Sequence, residues 1–206
     1  MSKIKKVAVT GSAGSGKTIV CGRFQELGLR VINSDILARE VVSPGSTAYK
    51  EIINFFGKKV LNDDATLNRR MIRRMIIHDD TFRKVLEQFT HPEIIKLMKS
   101  QITAAEKDGN SVVVVEVPLL FEFDMESLFD EIIVVIAKQE LRITRLMNRD
   151  YMSRSDAQNL LNIQMPDEEK VQHAAFLFQN NGSVKQLIKS VDIFYKNFLL
   201  KYEKKI

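Results

Sequence analysis

Short apolar runs along the chain predict five buried strands. They are separated by longer segments with helical spacing, and they cover residues 6–10, 29–32, 111–117, 131–137 and 176–178. The runs at 111–117 and 131–137 are rich in Val and Ile and lack the apolar–polar alternation of a half-exposed strand. This pattern favours a parallel sheet that is covered on both faces.

Between these strands the apolar residues recur at helical spacing. The predicted helices are 17–27, 36–42, several within 47–107, then 139–164 and 184–202. Within 47–107 we expect a break at Gly57, a turn at 62–65 and a new helix that starts at His91-Pro92. Strands that alternate with helices in this order predict one α/β domain, residues 1–206, built on a parallel sheet.

The composition is that of an ordinary globular protein. The chain has 206 residues, of which 45% are hydrophobic and 28% charged, and this excludes wholesale disorder. No apolar run approaches the roughly 20 residues of a membrane-spanning helix, and the residues before the first strand do not resemble a signal peptide. The single cysteine, Cys21, excludes an internal disulfide and, with three scattered histidines, a zinc site. We therefore expect a cytoplasmic protein.

Residues 11–18 read Gly-Ser-Ala-Gly-Ser-Gly-Lys-Thr and fit the phosphate-loop pattern G-x-x-x-x-G-K-[ST]. The three glycines allow backbone conformations in which consecutive N–H groups converge on phosphate oxygens, and the following helix adds its positive N-terminal end. Lys17 supplies a cation for the β- and γ-phosphates, and the Thr18 hydroxyl is the predicted Mg²⁺ ligand. The predicted triphosphate-binding residues are Gly11, Ala13, Gly14, Ser15, Gly16, Lys17 and Thr18.

Two helical segments interrupt this predicted phosphate-loop (P-loop) core. The core is expected to comprise residues 1–35, 108–138 and 174–206. Residues 36–107 form a helical insertion that is expected to bind the acceptor, and residues 139–165 form a helical lid.

The size of the chain and its missing motifs narrow the reaction class. The base-reading N-K-x-D stretch of GTPases is absent from the sequence, and large mechanical ATPases need a longer chain. A small P-loop protein with a helical insertion and an arginine-rich helix is typical of a small-molecule kinase. The net charge of +5 leaves open a second class, a nucleic-acid-binding regulator that uses ATP as a switch. No recognition-helix or RNA-binding motif supports that class.

Asp35 follows the second predicted strand, at the sheet edge where ligands collect in open α/β folds. Its position alone leaves two roles open. The carboxylate could accept the proton of an attacking hydroxyl or help to hold magnesium, or it could cap the following helix, for which Asp is equally suited.

The motifs around Asp35 resemble those of dephospho-coenzyme A kinases. The Asp-x-Asp-x-x-Ala-Arg pattern of that family corresponds to Asn-Ser-Asp-Ile-Leu-Ala-Arg at residues 33–39. Further matches follow in the family's order at residues 41–45, 67–69, 91–92, 117–122, 145–149, 164–165 and 180–182. The resemblance covers residues 4 to about 195, nearly the whole chain.

The resemblance implies an enzyme that, with Mg²⁺, transfers a phosphoryl group from ATP to the ribose 3′-hydroxyl of dephospho-coenzyme A. It implies that Asp35 is the base at that hydroxyl and that Asn180 belongs to the ATP site. The implied acceptor site comprises Asp35, Arg39, His91, Pro118, Leu119, Leu120 and Glu122. For Arg39 and His91, a structural ion pair or a helix cap remains the alternative.

Two carboxylates of the family pattern are missing. The first aspartate is Asn33 here, and the family's Ala-Asp before the last strand reads Ala174-Ala175. An amide can still hydrogen-bond at this place, and because the family carries a carboxylate there, we expect Asn33→Asp to be nearly neutral. Neither departure affects Lys17, Thr18 or Asp35.

Arg142, Arg145 and Arg149 are spaced at i, i+3 and i+7 and therefore share one face of a predicted helix. In a phosphotransferase such a row is typical of a lid that closes over the phosphates, although a solvated basic face is the ordinary alternative. We expect Arg145 and Arg149 to be catalytic because they stabilise the transferring phosphoryl group. We expect Arg142 to form the outer edge of the lid.

The expected partners are ATP and dephospho-coenzyme A, with neither nucleic acid nor membrane, and the protein is expected to be a monomer or a weak homo-oligomer. Within the same enzyme class, a nucleoside monophosphate or a small alcohol is the alternative acceptor.

Overall fold

The structure is a computed structural model that describes residues 4–203. All five predicted strands are present: β1 (Lys5–Thr10), β2 (Arg30–Asn33), β3 (Val112–Glu116), β4 (Glu131–Ile136) and β5 (Phe176–Gln179). The α-helices of this part of the chain are α1 (Lys17–Glu26), α2 (Ser34–Glu40), α3 (Thr47–Phe56), α4 (Arg69–His78), α5 (Asp80–Lys107), α6 (Gln139–Asp150), α7 (Arg154–Asn162), α8 (Asp167–Gln172), α9 (Val184–Phe194) and α10 (Leu200–Glu203). None of these helices is long and apolar enough to cross a membrane.

The strands form one parallel sheet, which confirms that prediction, and their order is β2-β3-β1-β4-β5. Glu116, the last residue of β3, is in register with Val9 of β1 on one side and with Asn33 of β2 on the other. The carboxyl ends of these three strands therefore lie side by side. The phosphate loop follows β1 at this same edge of the sheet.

The core of the sheet is apolar because β3 and β4 consist almost entirely of branched apolar side chains. Val114 and Val135 are fully buried and belong to one cluster with Phe24 of α1 and Phe194 of α9. Burial of each such side chain contributes about 1.5–3 kcal/mol. The cluster fixes α1, and with it the end of the phosphate loop, against the sheet.

The described residues divide into two compact units. The first combines the residues up to Asn33 with those from Gln101 onward and contains the whole sheet, and the second is the helical unit Ser34–Ser100. The second unit has a core of its own, which includes Ile52 and Phe82. The predicted insertion, 36–107, overlaps most of it, and its acceptor-binding role stays a prediction. Residues 1–3 and 204–206 of the predicted core lie outside the described residues.

The prediction that His91-Pro92 begins a helix is wrong. Both residues lie inside α5, which runs through Pro92 for 28 residues. Proline lacks the backbone N–H and disfavours a helix interior by about 3 kcal/mol, which is why it suggested a helix start. Packing of the second unit outweighs that penalty, since Phe82 and Leu86 of the same helix belong to its apolar cluster.

The prediction of one helix over 139–164 is also wrong, because two helices occupy it. Tyr151 has φ 53°, which ends α6 in the left-handed region without a glycine. Ser153 then caps α7, since its hydroxyl accepts a hydrogen bond from the Asp156 N–H at 3.0 Å.

Candidate active site

Two close approaches shape the phosphate loop between β1 and α1. Gly14 and Gly16 have φ values of 75° and 107°, in the left-handed region that favours glycine. A Cβ at Gly16 would lie 2.2 Å from the side-chain nitrogen of Asn180, and one at Gly14 would lie 2.9 Å from the carbonyl oxygen of Arg142 in α6. Glycine is therefore needed here both for the backbone conformation and for the contacts of the loop with its neighbours.

The Lys17 side chain folds back along the loop. Its ammonium group donates hydrogen bonds to the carbonyl oxygens of Gly11 at 2.7 Å and of Ser12 at 3.2 Å. The residue is only 8% exposed. A positive charge is thus held inside the loop, where the sequence motif predicts the phosphates.

Thr18 and Glu116 form a pair that sequence reasoning missed. The Thr18 hydroxyl donates to Glu116 Oε1 at 2.8 Å, and Glu116 is 2% exposed. Glu116 was not among the predicted site residues. A signal was available, because a carboxylate that ends a run of four valines needs a polar partner once it is buried.

The donor set of this pair fits a magnesium ion. Mg²⁺ prefers hydroxyl and carboxylate oxygens, and it is usually held by one or two carboxylates together with substrate phosphates and waters. Thr18 and Glu116 supply one hydroxyl and one carboxylate beside the phosphate loop. Among residues 4–203 there is no group of three or more His, Cys, Asp and Glu side chains that could hold a metal alone.

Asn33 holds the other oxygen of the same carboxylate. Its amide donates to Glu116 Oε2 at 2.7 Å. The amide that replaces a family carboxylate in this chain is therefore a hydrogen-bond donor to the buried Glu116. A second carboxylate here would repel the first, so the expectation that Asn33→Asp is nearly neutral does not agree with this geometry.

Asn180 and Arg145 clamp the loop from the side of β5 and α6. The Asn180 amide donates to the Ser15 carbonyl oxygen at 2.7 Å. The Arg145 guanidinium donates at 3.0 Å to two carbonyl oxygens, those of Gly14 and Asn180. These contacts fix the backbone of the loop, and contacts of either side chain with ATP stay predictions.

The three arginines of α6 differ in exposure, and the predicted place of Arg142 is wrong. Arg142 is not at the outer edge: its side chain is 11% exposed and forms an ion pair with Asp167 at 3.3 Å. Arg149, one turn beyond Arg145, has a side chain that is 64% exposed and pairs with Asp150 at 2.8 Å. The row follows the predicted spacing, but it runs from a buried inner end at Arg142 to an exposed outer end at Arg149.

The predicted acceptor residues after β3 fall into two groups. Pro118 and Leu119 are half-buried, whereas Leu120 is fully buried. Glu122 pairs with the buried ammonium group of Lys170 at 3.0 Å and accepts a hydrogen bond from the Met165 N–H at 2.9 Å. Leu120 and Glu122 are thus engaged inside the protein, and contacts of this segment with the acceptor stay predictions.

Asp35, Arg39 and His91 lie in the second unit. Asp35 is the second residue of α2, within its first turn. There a carboxylate interacts favourably with the helix dipole. Because the helix already begins at Ser34, Asp35 is not the N-cap residue, which was its alternative role.

The other two residues bear on charge in this unit. Burial, and to a smaller extent the charge of Arg39, lower the pKa of Arg69. Burial lowers the pKa of His91 to about 4, so its imidazole is neutral near pH 7.

Ala175, the second place where a family carboxylate is missing, lies far along the sheet from the loop. Its N–H donates to the Ile132 carbonyl oxygen at 2.9 Å, directly before β5 begins. It lines a small cavity of about 300 Å³ with Phe176, Phe194 and Glu131. Because this is the amino end of the strand, the missing carboxylate does not alter the site at the carboxyl ends.

The parallel sheet, the loop after β1 and the buried lysine together define a P-loop kinase. The family model for dephospho-CoA kinase matches residues 5–186. The dephospho-CoA kinase of Listeria monocytogenes is 36% identical over 195 residues, which are 95% of this chain and 98% of that protein. The chain belongs to the dephospho-CoA kinase family.

Solved structures agree with this assignment. A protein from Thermus thermophilus superposes with a TM-score of 0.79 at 28% identity and covers 96% of this chain and 99% of its own. The dephospho-CoA kinase from Campylobacter jejuni superposes with a TM-score of 0.67 at 27% identity and covers 93% and 95%.

Proposed function

We propose that the chain transfers the γ-phosphoryl group of ATP to the ribose 3′-hydroxyl of dephospho-coenzyme A, which yields coenzyme A and ADP. The observation that carries this proposal is the intact phosphate loop with its buried Lys17, in a chain that matches the family over residues 5–186. ATP and dephospho-coenzyme A are the proposed partners, with no nucleic acid or membrane, and the protein works as a monomer or a weak homo-oligomer in the cytoplasm.

The loop binds the triphosphate. Backbone N–H groups of the loop and of the first turn of α1 converge on phosphate oxygens, and Lys17 neutralises the β- and γ-phosphates. Since Lys17 already donates to carbonyl oxygens within the loop, its ammonium group lies near its working position before the nucleotide arrives. Asn180 contributes to the ATP site from the side of β5.

Thr18 and Glu116 hold Mg²⁺ together with the phosphates. When bound, the ion neutralises charge on the β- and γ-oxygens and orients the triphosphate. Asn33 supports this task because its amide fixes one oxygen of Glu116 while the other stays beside Thr18.

Asp35 aligns the 3′-hydroxyl and accepts its proton. Its assignment rests on the match of residues 33–39 to the family pattern and on chain connectivity, since only Ser34 separates it from Asn33. Arg39 and His91 contribute to acceptor binding, as do residues of the segment Pro118 to Glu122. A neutral His91 donates or accepts a hydrogen bond but adds no charge.

Transition-state charge is stabilised by Lys17 and by arginines of α6. Arg149 contributes because its side chain is largely exposed and therefore available to a bound phosphoryl group. Arg145 contributes through the loop that it clamps. Such preorganised donors typically contribute a factor of about 10²–10³ each to the rate.

An acceptor comparison tests this function. The protein is incubated with ATP and Mg²⁺ and with dephospho-coenzyme A, AMP or adenosine, while ADP release and the phosphorylated product are measured. We expect turnover with dephospho-coenzyme A and a kcat/KM at least about 100-fold lower for the other two, since the pantetheine arm contributes binding energy that they lack. Equal turnover of AMP would show that the acceptor is a nucleoside monophosphate and not specifically dephospho-coenzyme A.

A further inference from the structure

The segment after α7 contacts the outer side of the phosphate loop through three side chains. Gln164 Oε1 accepts the Ala13 N–H at 2.8 Å. Asp167 Oδ1 accepts the Ser12 hydroxyl at 2.6 Å, and the Lys170 ammonium group lies 3.4 Å from the same hydroxyl oxygen. Two consecutive loop residues are therefore held by side chains more than 150 positions away in the sequence.

Two buried ion pairs meet at the Ser12 hydroxyl. Lys170 is 0% exposed and pairs with Glu122 at 3.0 Å. Asp167 pairs with Arg142, and their side chains are 12% and 11% exposed. Buried ion pairs seldom add net stability over well-packed apolar residues, so stability alone does not account for four charges at this place.

Ser12 connects these pairs to the phosphate-binding groups. Its hydroxyl is held by Asp167 and Lys170, while its carbonyl oxygen accepts hydrogen bonds from the Lys17 ammonium group and from the Ser15 N–H, both at 3.2 Å. A shift of Ser12 therefore moves an acceptor of Lys17 and a turn of the loop backbone together.

We propose that Asp167 and Lys170 are positioning residues for the nucleotide site: they hold Ser12, and through it the phosphate loop and Lys17, in the conformation that binds phosphates. This inference rests on the proposed function, because it takes the loop as the ATP site. Both residues contact the Ser12 hydroxyl, and Ser12 is not one of the predicted triphosphate-binding residues, so their proposed effect is on the free energy of ordering the loop.

A pair of serine variants separates positioning from stability. Ser12→Ala removes a hydroxyl that contacts Asp167 and Lys170. Ser46→Ala is its matched control, because the Ser46 hydroxyl also makes two contacts, to the Val41 carbonyl oxygen at 2.6 Å and from the Tyr49 N–H at 3.2 Å, in the second unit. Titration calorimetry with Mg²⁺ and a non-hydrolysable ATP analogue gives Kd for each.

We expect both variants to lower Tm, but only Ser12→Ala to raise Kd, by about 10-fold, which corresponds to about 1.4 kcal/mol. The KM for ATP should rise with it. Asp167→Ala should raise Kd by a similar factor, and it should lower Tm further because it leaves the buried Arg142 without its ion-pair partner. Asp167→Asn keeps an acceptor oxygen for Ser12 and should restore most of the affinity.

Lys170→Met leaves Glu122 buried without its cation and is expected to lower Tm strongly. Lys170→Met with Glu122→Gln removes both charges, so Tm should recover while Kd stays raised. Recovery of Kd together with Tm, or a Kd for Ser12→Ala and Asp167→Ala within twofold of the wild type, would overturn the positioning role. A wild-type protein that binds no analogue would instead overturn the proposed function.

Discussion

The side-chain amide of Asn33 donates a 2.7 Å hydrogen bond to the buried carboxylate of Glu116, across the paired ends of β2 and β3. Glu116 accepts a second hydrogen bond from the Thr18 hydroxyl at 2.8 Å through its other oxygen. The pair therefore combines one carboxylate with one amide, whereas an aspartate at position 33 would place two carboxylates against each other. The amide of Asn33 is consequently a specific hydrogen-bond partner of Glu116.

The charge arrangement at this pair predicts the effect of Asn33→Asp. In EDTA the variant should lose about 2 kcal/mol, because like charges at this separation repel when they are partly desolvated. Tm should fall by roughly 4–8 °C for a protein of this size. Adding Glu116→Gln, which exchanges the two groups, should restore most of the lost Tm. Unchanged stability of Asn33→Asp by differential scanning calorimetry would show that the pair is not coupled.

Arg145 and Arg149 are predicted to respond differently to substitution by alanine. Arg145→Ala removes two hydrogen bonds to carbonyl oxygens of the site, so the KM for ATP should rise and stability should fall by about 1–3 kcal/mol. Arg149→Ala removes an exposed side chain, so Tm should stay within about 1–2 °C of the wild type, while kcat falls by about 10²-fold or more.

Steady-state kinetics beside thermal melts distinguish the two arginines. A large loss of kcat in Arg145→Ala with no change in Tm would show that Arg145 stabilises the transition state rather than the loop. A change confined to the KM for ATP in Arg149→Ala would make Arg149 a ground-state contact.

Much of the fold and the donor loop could be predicted from local patterns. The five strands are continuous apolar runs, and residues 11–18 carry a contiguous motif, so each signal lies within a few neighbouring positions. The division of 139–164 could not be predicted in the same way. It depends on Tyr151 in a left-handed conformation that is normally signalled by glycine.

The missed parts of the site depend on contacts between distant positions. Glu116 can be recognised as a site residue only through its hydrogen bonds with Thr18 and Asn33, which are 98 and 83 positions away. The ion pair of Arg142 with Asp167 likewise reverses the exposure that the helical spacing of the arginines suggested. A single sequence gives the face of a helix but not which end of that face is buried.

The half-buried His91 predicts a pH dependence of stability. Its pKa is lowered to about 4 in the folded protein from 6.5, so between these values the unfolded chain binds a proton that the folded one does not. The contribution of His91 to the free energy of unfolding should therefore be fully present above about pH 7. It should be lost as the pH falls toward 4, which lowers stability by about 1–2 kcal/mol once the partial solvent exposure of His91 is taken into account.

His91→Gln should flatten this part of the pH profile in urea unfolding experiments between pH 4 and 7. An equally steep profile in the variant would assign the dependence to other groups.

Asp35→Asn tests the proposed base. The amide keeps the size of the side chain and can still hydrogen-bond a hydroxyl, but it cannot accept its proton. General-base catalysis contributes a factor of about 10²–10⁴, so kcat should fall by that much with Tm little changed. Retention of more than about a tenth of the wild-type kcat, which lies outside that range, would show that Asp35 is structural.

The position of the new phosphate is tested most directly by phosphorus-31 NMR of the product that the wild-type protein forms from ATP, Mg²⁺ and dephospho-coenzyme A. We expect one phosphomonoester on the ribose 3′-hydroxyl for each ADP released, identical to coenzyme A. We expect almost none with Lys17→Met, in which the cation inside the loop is lost. A phosphate on another hydroxyl, the same product at an equal rate from Lys17→Met, or no product from a folded wild-type protein would contradict this account.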